Sequence, residues 1–249
     1  MKQIKSPPLQ KLVEMKWKNP GSQLGSSFCD PNLSHYILGK RDKSSIFDFD
    51  HTMIAIERSL KLISKIVQLN GKILLVSTDP STSLLIKKVG QLSSQPFIYS
   101  KWVNGLLTNW KQVISHKQDN LFKSVPKQEG IYQLKKLPDL LVVVNPYENQ
   151  DAIREAIKLN IPVISFLNVK KISDLKTEIK ISHINYVIPA SGDSTQLIYL
   201  FFDLFIRIHM LFKHKKLFHK KYSHLYSLKQ SIYQYNYSLS KNLSYNYVY

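Results

Sequence analysis

The stretch KLPDLLVVVNPYENQDAIREAIKLNIPVISFLN, residues 136–168, decides the fold class. Leu140–Val144 is a continuous apolar run rather than an alternating one, the pattern of a strand covered on both faces. A helical pattern follows over Glu148–Leu159 with Asn160 as its stop, and Pro162–Leu167 is a second buried strand. A crossover of this length returns the chain to the end of the sheet from which it started, so the two strands run parallel.

The same rhythm extends outward. Upstream, Ile46–Phe49 is a short apolar strand. Met53, Ile56, Leu60, Ile63 and Val67 then recur at helical spacing between Thr52 and Leu69, and Asn70 with Gly71 forms a left-handed stop. Lys72–Ser77 (KILLVS) is a buried strand, Ser81–Val89 a helix closed by Gly90, and Phe97–Tyr99 another short strand. Downstream, Tyr186–Ile188 is a last strand before a helix capped by Asp193 or Ser194. The expectation is an α/β domain over residues 46–212: a doubly wound, mostly parallel sheet flanked by helices, with Rossmann-like topology. Around it lie a basic N-terminal arm (1–45), a polar Lys/Gln-rich insert (111–136) and a Lys/Tyr-rich tail (213–249).

Charge narrows the partner. Against 17 acidic residues stand 35 Lys and Arg, a formal net charge of +18 over 249 residues. So large an excess repels itself until a polyanion neutralises it, which points to nucleic acid or an anionic membrane, with nucleic acid favoured. Only Arg41, Arg58, Arg154 and Arg207 are arginines; the preference for Lys, with many Ile, Asn and Tyr, leans toward AT-rich codons of the kind found in organelle genomes. The start MKQIKSPP has neither a signal-peptide core nor an Arg-rich presequence, so a chain working in an organelle is expected to be made there. Cys29 stands alone, which excludes an intramolecular disulfide and a cysteine metal cage. Leu197–Phe212 nearly reaches the length and apolarity of a membrane span, but Asp203 and Arg207 interrupt it four residues apart, where they can pair on one helix face. A buried or partner-facing helix is expected there, with no membrane partner.

Two constellations suit RNA. Lys40, Arg41 and Lys43 place three cations beside Gly39, in a loop that a phosphate backbone can approach closely. Lys101, Trp102, Asn104, Thr108, Asn109 and Lys111, with Trp110, alternate charge, amide and indole around Gly105, a mixture suited to folded RNA. At least one of Trp102 and Trp110 is expected to anchor this loop in the core.

A competing motif is SIFDFDHTM at 45–53. A strand ending in Asp48, Phe49, Asp50 and then Thr52 resembles the first motif of haloacid-dehalogenase-like phosphatases, in which the first carboxylate attacks phosphate and the second serves as acid and base, with Mg²⁺ between them. Ser77 or Thr78 and Asp193 echo later motifs of that family. The departures weigh more: His51 replaces a small residue, and Leu197 stands where a second late carboxylate belongs. No Gly-rich phosphate loop follows a strand, so no nucleotide or other cofactor and no small-molecule substrate is expected. His209, His214, His219 and His224 recur at intervals of five, which places them on different faces of a helix and suits no shared metal.

Taken in order, KWVNGLLTNW (101–110), KLPDLLVVVNP (136–146), EAIKLNIPVISFLN (155–168) and NYVIPASGDS (185–194) resemble the bacterial and organellar family of the second small-subunit ribosomal protein. GSQLGSS, DPN and YILG occupy the places of that family's early Gly/His-rich, Asn-Pro and Tyr-Ile-x-Gly segments. Its long helical hairpin is shortened here to the insert 111–136. The resemblance implies a non-catalytic constituent of the small ribosomal subunit, binding its ribosomal RNA and neighbouring ribosomal proteins. The drift and the AT-leaning tail suggest a mitochondrial member rather than a plastid one. A haloacid-dehalogenase-like phosphatase using Asp48 and Asp50, or an RNA-binding regulator outside the ribosome, are the alternatives.

Overall fold

The computed structural model describes residues 35–41, 44–110, 112, 130–131, 134, 136–167, 183–190 and 195–213. Its elements are β1 (Ile37–Arg41), β2 (Ser44–Phe47), α1 (Phe49–Gln68), β3 (Ile73–Val76), α2 (Pro80–Ser93), β4 (Phe97–Ile98), β5 (Leu140–Val143), α3 (Gln150–Lys158), β6 (Val163–Leu167), β7 (Tyr186–Pro189) and α4 (Thr195–Lys213). The chain divides into two compact units, Met1–Ile208 and His209–Tyr249. Of the second, only the helical residues 209–213 are described.

The core is a parallel five-stranded sheet in the order β4-β3-β5-β6-β7. The chain steps from β3 to β4 in one direction, then winds from β5 to β7 in the other, the doubly wound order in which a crevice opens beyond the carboxyl ends of β3 and β5. Every residue of β3, β5 and β6 is buried, as their unbroken apolar runs require. On one face Leu74, Val76, Leu141, Val143 and Val163 pack with Ala152, Ile153 and Ala156 of α3. Phe166 points the opposite way along β6, and its ring meets Phe201 edge-on at 5.1 Å between centroids.

Helix limits differ instructively from the sequence expectation. α1 starts earlier, because Asp48 caps it through its side chain, and it stops where Asn70 takes φ 59°. α2 runs through Gly90 and ends at Ser94, which adopts φ 55°. Gly90 is a packing residue rather than a stop: a Cβ built there would lie 2.2 Å from Cδ1 of Phe97. Asn160, at φ 54°, ends α3 as expected.

Residues 37–41 were expected within an irregular arm but form β1, antiparallel to β2. Short, Gly-containing and mostly exposed, β1 carries no hydrophobic period to read, and its order comes from its ladder with β2. α4 is long and apolar enough to cross a bilayer. Its first part is occupied within the protein, however, since Leu197, Ile198, Leu200, Phe201, Phe202 and Phe205 are all buried, while Met210 and Leu211 near its end are exposed. Nε of Arg207 donates to Asp203 at 2.8 Å, the pairing that their spacing suggested. The residues proposed to cap α4, the histidines 214, 219 and 224, most of the arm, the insert and the tail lie outside the described residues.

Candidate nucleic-acid interface

The turn after β4 is built on one carboxylate. Glu155 sits on the sheet-facing side of α3 among Ala152, Ile153 and Ala156, with 7% of its surface exposed. A charge in that position is costly unless hydrogen-bonded. Four N–H donors reach it: Trp102 Nε1 at 2.9 Å and Gly105 N at 2.7 Å on Oε1, and Leu107 N at 2.8 Å and Thr108 N at 3.2 Å on Oε2. The loop closes on itself as well, with Leu106 N donating to Val103 O, Asn109 N to Gly105 O and Trp110 N to Leu107 O. Gly105 takes φ 84°, a left-handed conformation that admits glycine without strain.

This anchoring sorts the expected RNA residues. Trp102 and Trp110 are both buried, 7% exposed each, so both indoles hold the loop to the body. Lys101, Asn104, Thr108 and Asn109 are exposed and gathered in this single turn. Lys40 and Arg41 are also exposed, but on strand β1 rather than in a loop. Their hairpin leads into α1, whose Thr52 hydroxyl donates to Pro189 O of β7 at 2.9 Å. The cations therefore come from separately anchored elements. Lys43 and Lys111 lie outside the described residues. Sequence reasoning missed Glu155; its only signal was an acid embedded in the apolar side of an amphipathic helix.

The phosphatase-like motif has a different structure from the one it suggested. β2 belongs to the two-stranded sheet, not to the parallel sheet whose carboxyl ends form an α/β ligand crevice. Asp48 Oδ1 accepts from Asp50 N at 3.0 Å, and Oδ2 pairs with His51 Nδ1 at 2.7 Å. The His51 hydrogen bond, helped by the Asp50 N–H, holds the Asp48 carboxyl below its ordinary range. One oxygen caps the helix and the other holds the His51 ring, and Asp50 lies exposed in the first turn. Ser77, the echo of a second motif, is fully buried and bonded to Thr82 at 2.7 Å. Asp193 lies outside the described residues, among which no group of three metal-ligating side chains occurs.

The sequence pattern of the family Ribosomal protein S2 matches residues 21–129 and 115–209. The chain belongs to this family. Among similar proteins, the small ribosomal subunit protein uS2m of Marchantia polymorpha is 31% identical over 225 residues, covering 81% of this chain and 92% of that protein. Small ribosomal subunit protein uS2 of Rickettsia typhi is 31% identical over 206 residues, covering 71% of this chain and 66% of the relative. Its counterpart in Rickettsia rickettsii is 30% identical over the same length. The two parts of the S2 match overlap at residues 115–129, inside the Lys/Gln-rich insert. The Glu155-bound turn and the parallel sheet both fall within the matched S2 region.

Proposed function

We propose that this chain is a structural, non-catalytic constituent of the small ribosomal subunit, that it binds small-subunit ribosomal RNA and neighbouring ribosomal proteins, and that it works in the mitochondrial ribosome. The observation that carries this reading is S2 family membership across the folded core, joined to a net charge of +18 that needs a polyanion. The relative named uS2m, matched over 81% of the chain, and the Lys-rich, AT-leaning composition favour an organelle, and a mitochondrion over a plastid. No Asp or Glu follows Asp203, whereas lysines continue to Lys241, so the carboxyl-terminal part adds positive charge alone. Lys40, Arg41 and Lys43, with Lys101, Asn104, Thr108, Asn109 and Lys111, are the RNA-contacting residues of this reading, and Trp102 supports them from within.

The test is sedimentation of a mitochondrial lysate on a sucrose gradient, with the chain followed by mass spectrometry. It is expected in the small-subunit fractions and displaced from them by ribonuclease. Recovery only at the top of the gradient would reject the ribosomal assignment in favour of a free RNA-binding protein or an enzyme.

A further inference from the structure

We propose that Glu155 is a positioning residue for RNA recognition, and that the turn it shapes meets RNA at ribose and base edges through Asn104, Thr108 and Asn109 rather than at phosphate. This rests on the ribosomal reading above and adds to it the chemistry of one surface.

The warrant is a complete account of backbone donors. From Gly105 to Trp110 every backbone N–H is used inside the protein: Gly105, Leu107 and Thr108 give theirs to Glu155, and Leu106, Asn109 and Trp110 give theirs to carbonyls of the same loop. A phosphate-binding nest needs successive N–H groups aimed outward at the anion. Glu155 has taken that role from the inside, as a built-in anion. The exposed face is left with one described cation, Lys101, with three neutral polar side chains, Asn104, Thr108 and Asn109, and with the aliphatic Val103. Each amide offers a carbonyl acceptor and two donors, and the hydroxyl does both. That inventory matches the ribose 2′-hydroxyl, itself donor and acceptor, and the edges of bases better than it matches a row of phosphate oxygens. Gly105 completes the fit, since a Cβ there would stand 3.1 Å from Nδ2 of Asn109 and push on one of the presenting groups.

Lysine contacts to phosphate make affinity fall steeply with salt, and neutral contacts do not. Full-length protein and its Glu155→Gln, Asn104→Ala/Asn109→Ala and Lys101→Ala variants are bound to small subunits depleted of this protein, over a range of salt. Wild type and variants are then compared for protection of ribosomal RNA 2′-hydroxyls from acylation. Expected are affinity losses of about tenfold for Glu155→Gln and for the double Asn variant, with an unchanged salt slope. The same few 2′-hydroxyls should lose protection in both. Lys101→Ala should lower the slope by about one contact. The double Asn variant alters exposed residues only, so the inference remains testable if Glu155→Gln does not fold. A wild type that does not bind overturns the ribosomal reading and this inference together. Wild-type binding with full affinity in both neutral variants overturns this inference alone. So does an affinity loss that leaves every 2′-hydroxyl protected, which would assign the turn to a protein neighbour, and so does a reduced salt slope in the double Asn variant, which would restore phosphate contacts.

Discussion

Asp48 and Glu155 do the same work in opposite settings. Each carboxylate collects N–H groups that the fold would otherwise leave without a partner. Asp48 stands at the surface, its side chain 27% exposed, takes one backbone N–H and leans on a histidine. Glu155 is buried under a loop and takes four N–H groups, and among the described residues none of its partners is a cation. Water can replace the bonds of the first and has little access to those of the second. The cost of losing a carboxylate is therefore set by what else can reach its donors, and the two sites should differ severalfold in energy.

Glu155→Ala provides the strongest test of that difference. It removes the acceptor of four N–H groups beneath a buried loop, with an expected loss on the order of 3–5 kcal/mol, seen as a lower midpoint in denaturant at unchanged slope. A loss below about 1 kcal/mol would mean that water enters the site and that the contrast with Asp48 is false. Glu155→Gln sharpens the point. Gln keeps the volume and one acceptor but turns an NH₂ toward two of the donors, so about 2 kcal/mol is expected.

Gly90→Ala tests whether a position read as a helix stop is instead a packing contact. Alanine favours a helix over glycine by about 1 kcal/mol, so a purely local view predicts stabilisation. With the Phe97 ring 2.2 Å from the new Cβ, a net loss of about 1–3 kcal/mol is expected in thermal or chemical unfolding.

These residues also show what the sequence makes visible. The parallel sheet was legible because β3, β5 and β6 are buried on both faces and so are spelled as unbroken apolar runs. Asn70 and Asn160 were legible as stops because a left-handed residue after a helix is a local requirement. Gly90 misled because its reason is Phe97, a neighbour from the next strand that no local pattern contains. Glu155 was invisible for the same cause: its partners lie 47 to 53 residues away, and an acid on a short helix ordinarily reads as a solvated position. Asp48 drew attention as chemistry because it is followed by Asp50, yet a carboxylate just before a helix is also what capping uses. Lys101, Asn104, Thr108 and Asn109 were singled out by their residue types around Gly105, and the structure shows that they are exposed. Their gathering on one turn depends on the long-range bonds of Glu155.

Asp48→Ala is the surface counterpart of the Glu155 variants and should cost about 1 kcal/mol, the usual loss of a helix cap. Asp48→Asn should be near neutral at pH 7, because Asn is an equally good cap. The same pair separates capping from catalysis, since a nucleophilic aspartate would tolerate neither change.

The smallest effect is the pH dependence of the Asp48 cap, and it has a definite sign. The His51 hydrogen bond and the Asp50 N–H favour the ionised carboxyl, so its folded-state pKa lies below the ordinary aspartate value. A carboxylate depressed in the folded state stabilises fully above its unfolded pKa, about 3.9, and loses that contribution as pH falls through the folded value. Asp139 acts in the same sense: burial pushes it up, but the Lys136 ammonium and the Lys72 N–H together outweigh burial and lower it. Acid should therefore weaken the wild type through both groups, and only the difference between wild type and Asp48→Asn isolates the cap. That difference should favour wild type by a few tenths of a kcal/mol at pH 7, through the charge-assisted bond to His51. It should shrink toward zero below about pH 4, as the aspartate is protonated. A gap that widens in acid would mean that Asp48 is held protonated in the fold, and its hydrogen bonds with Asp50 N and His51 would then need reassignment.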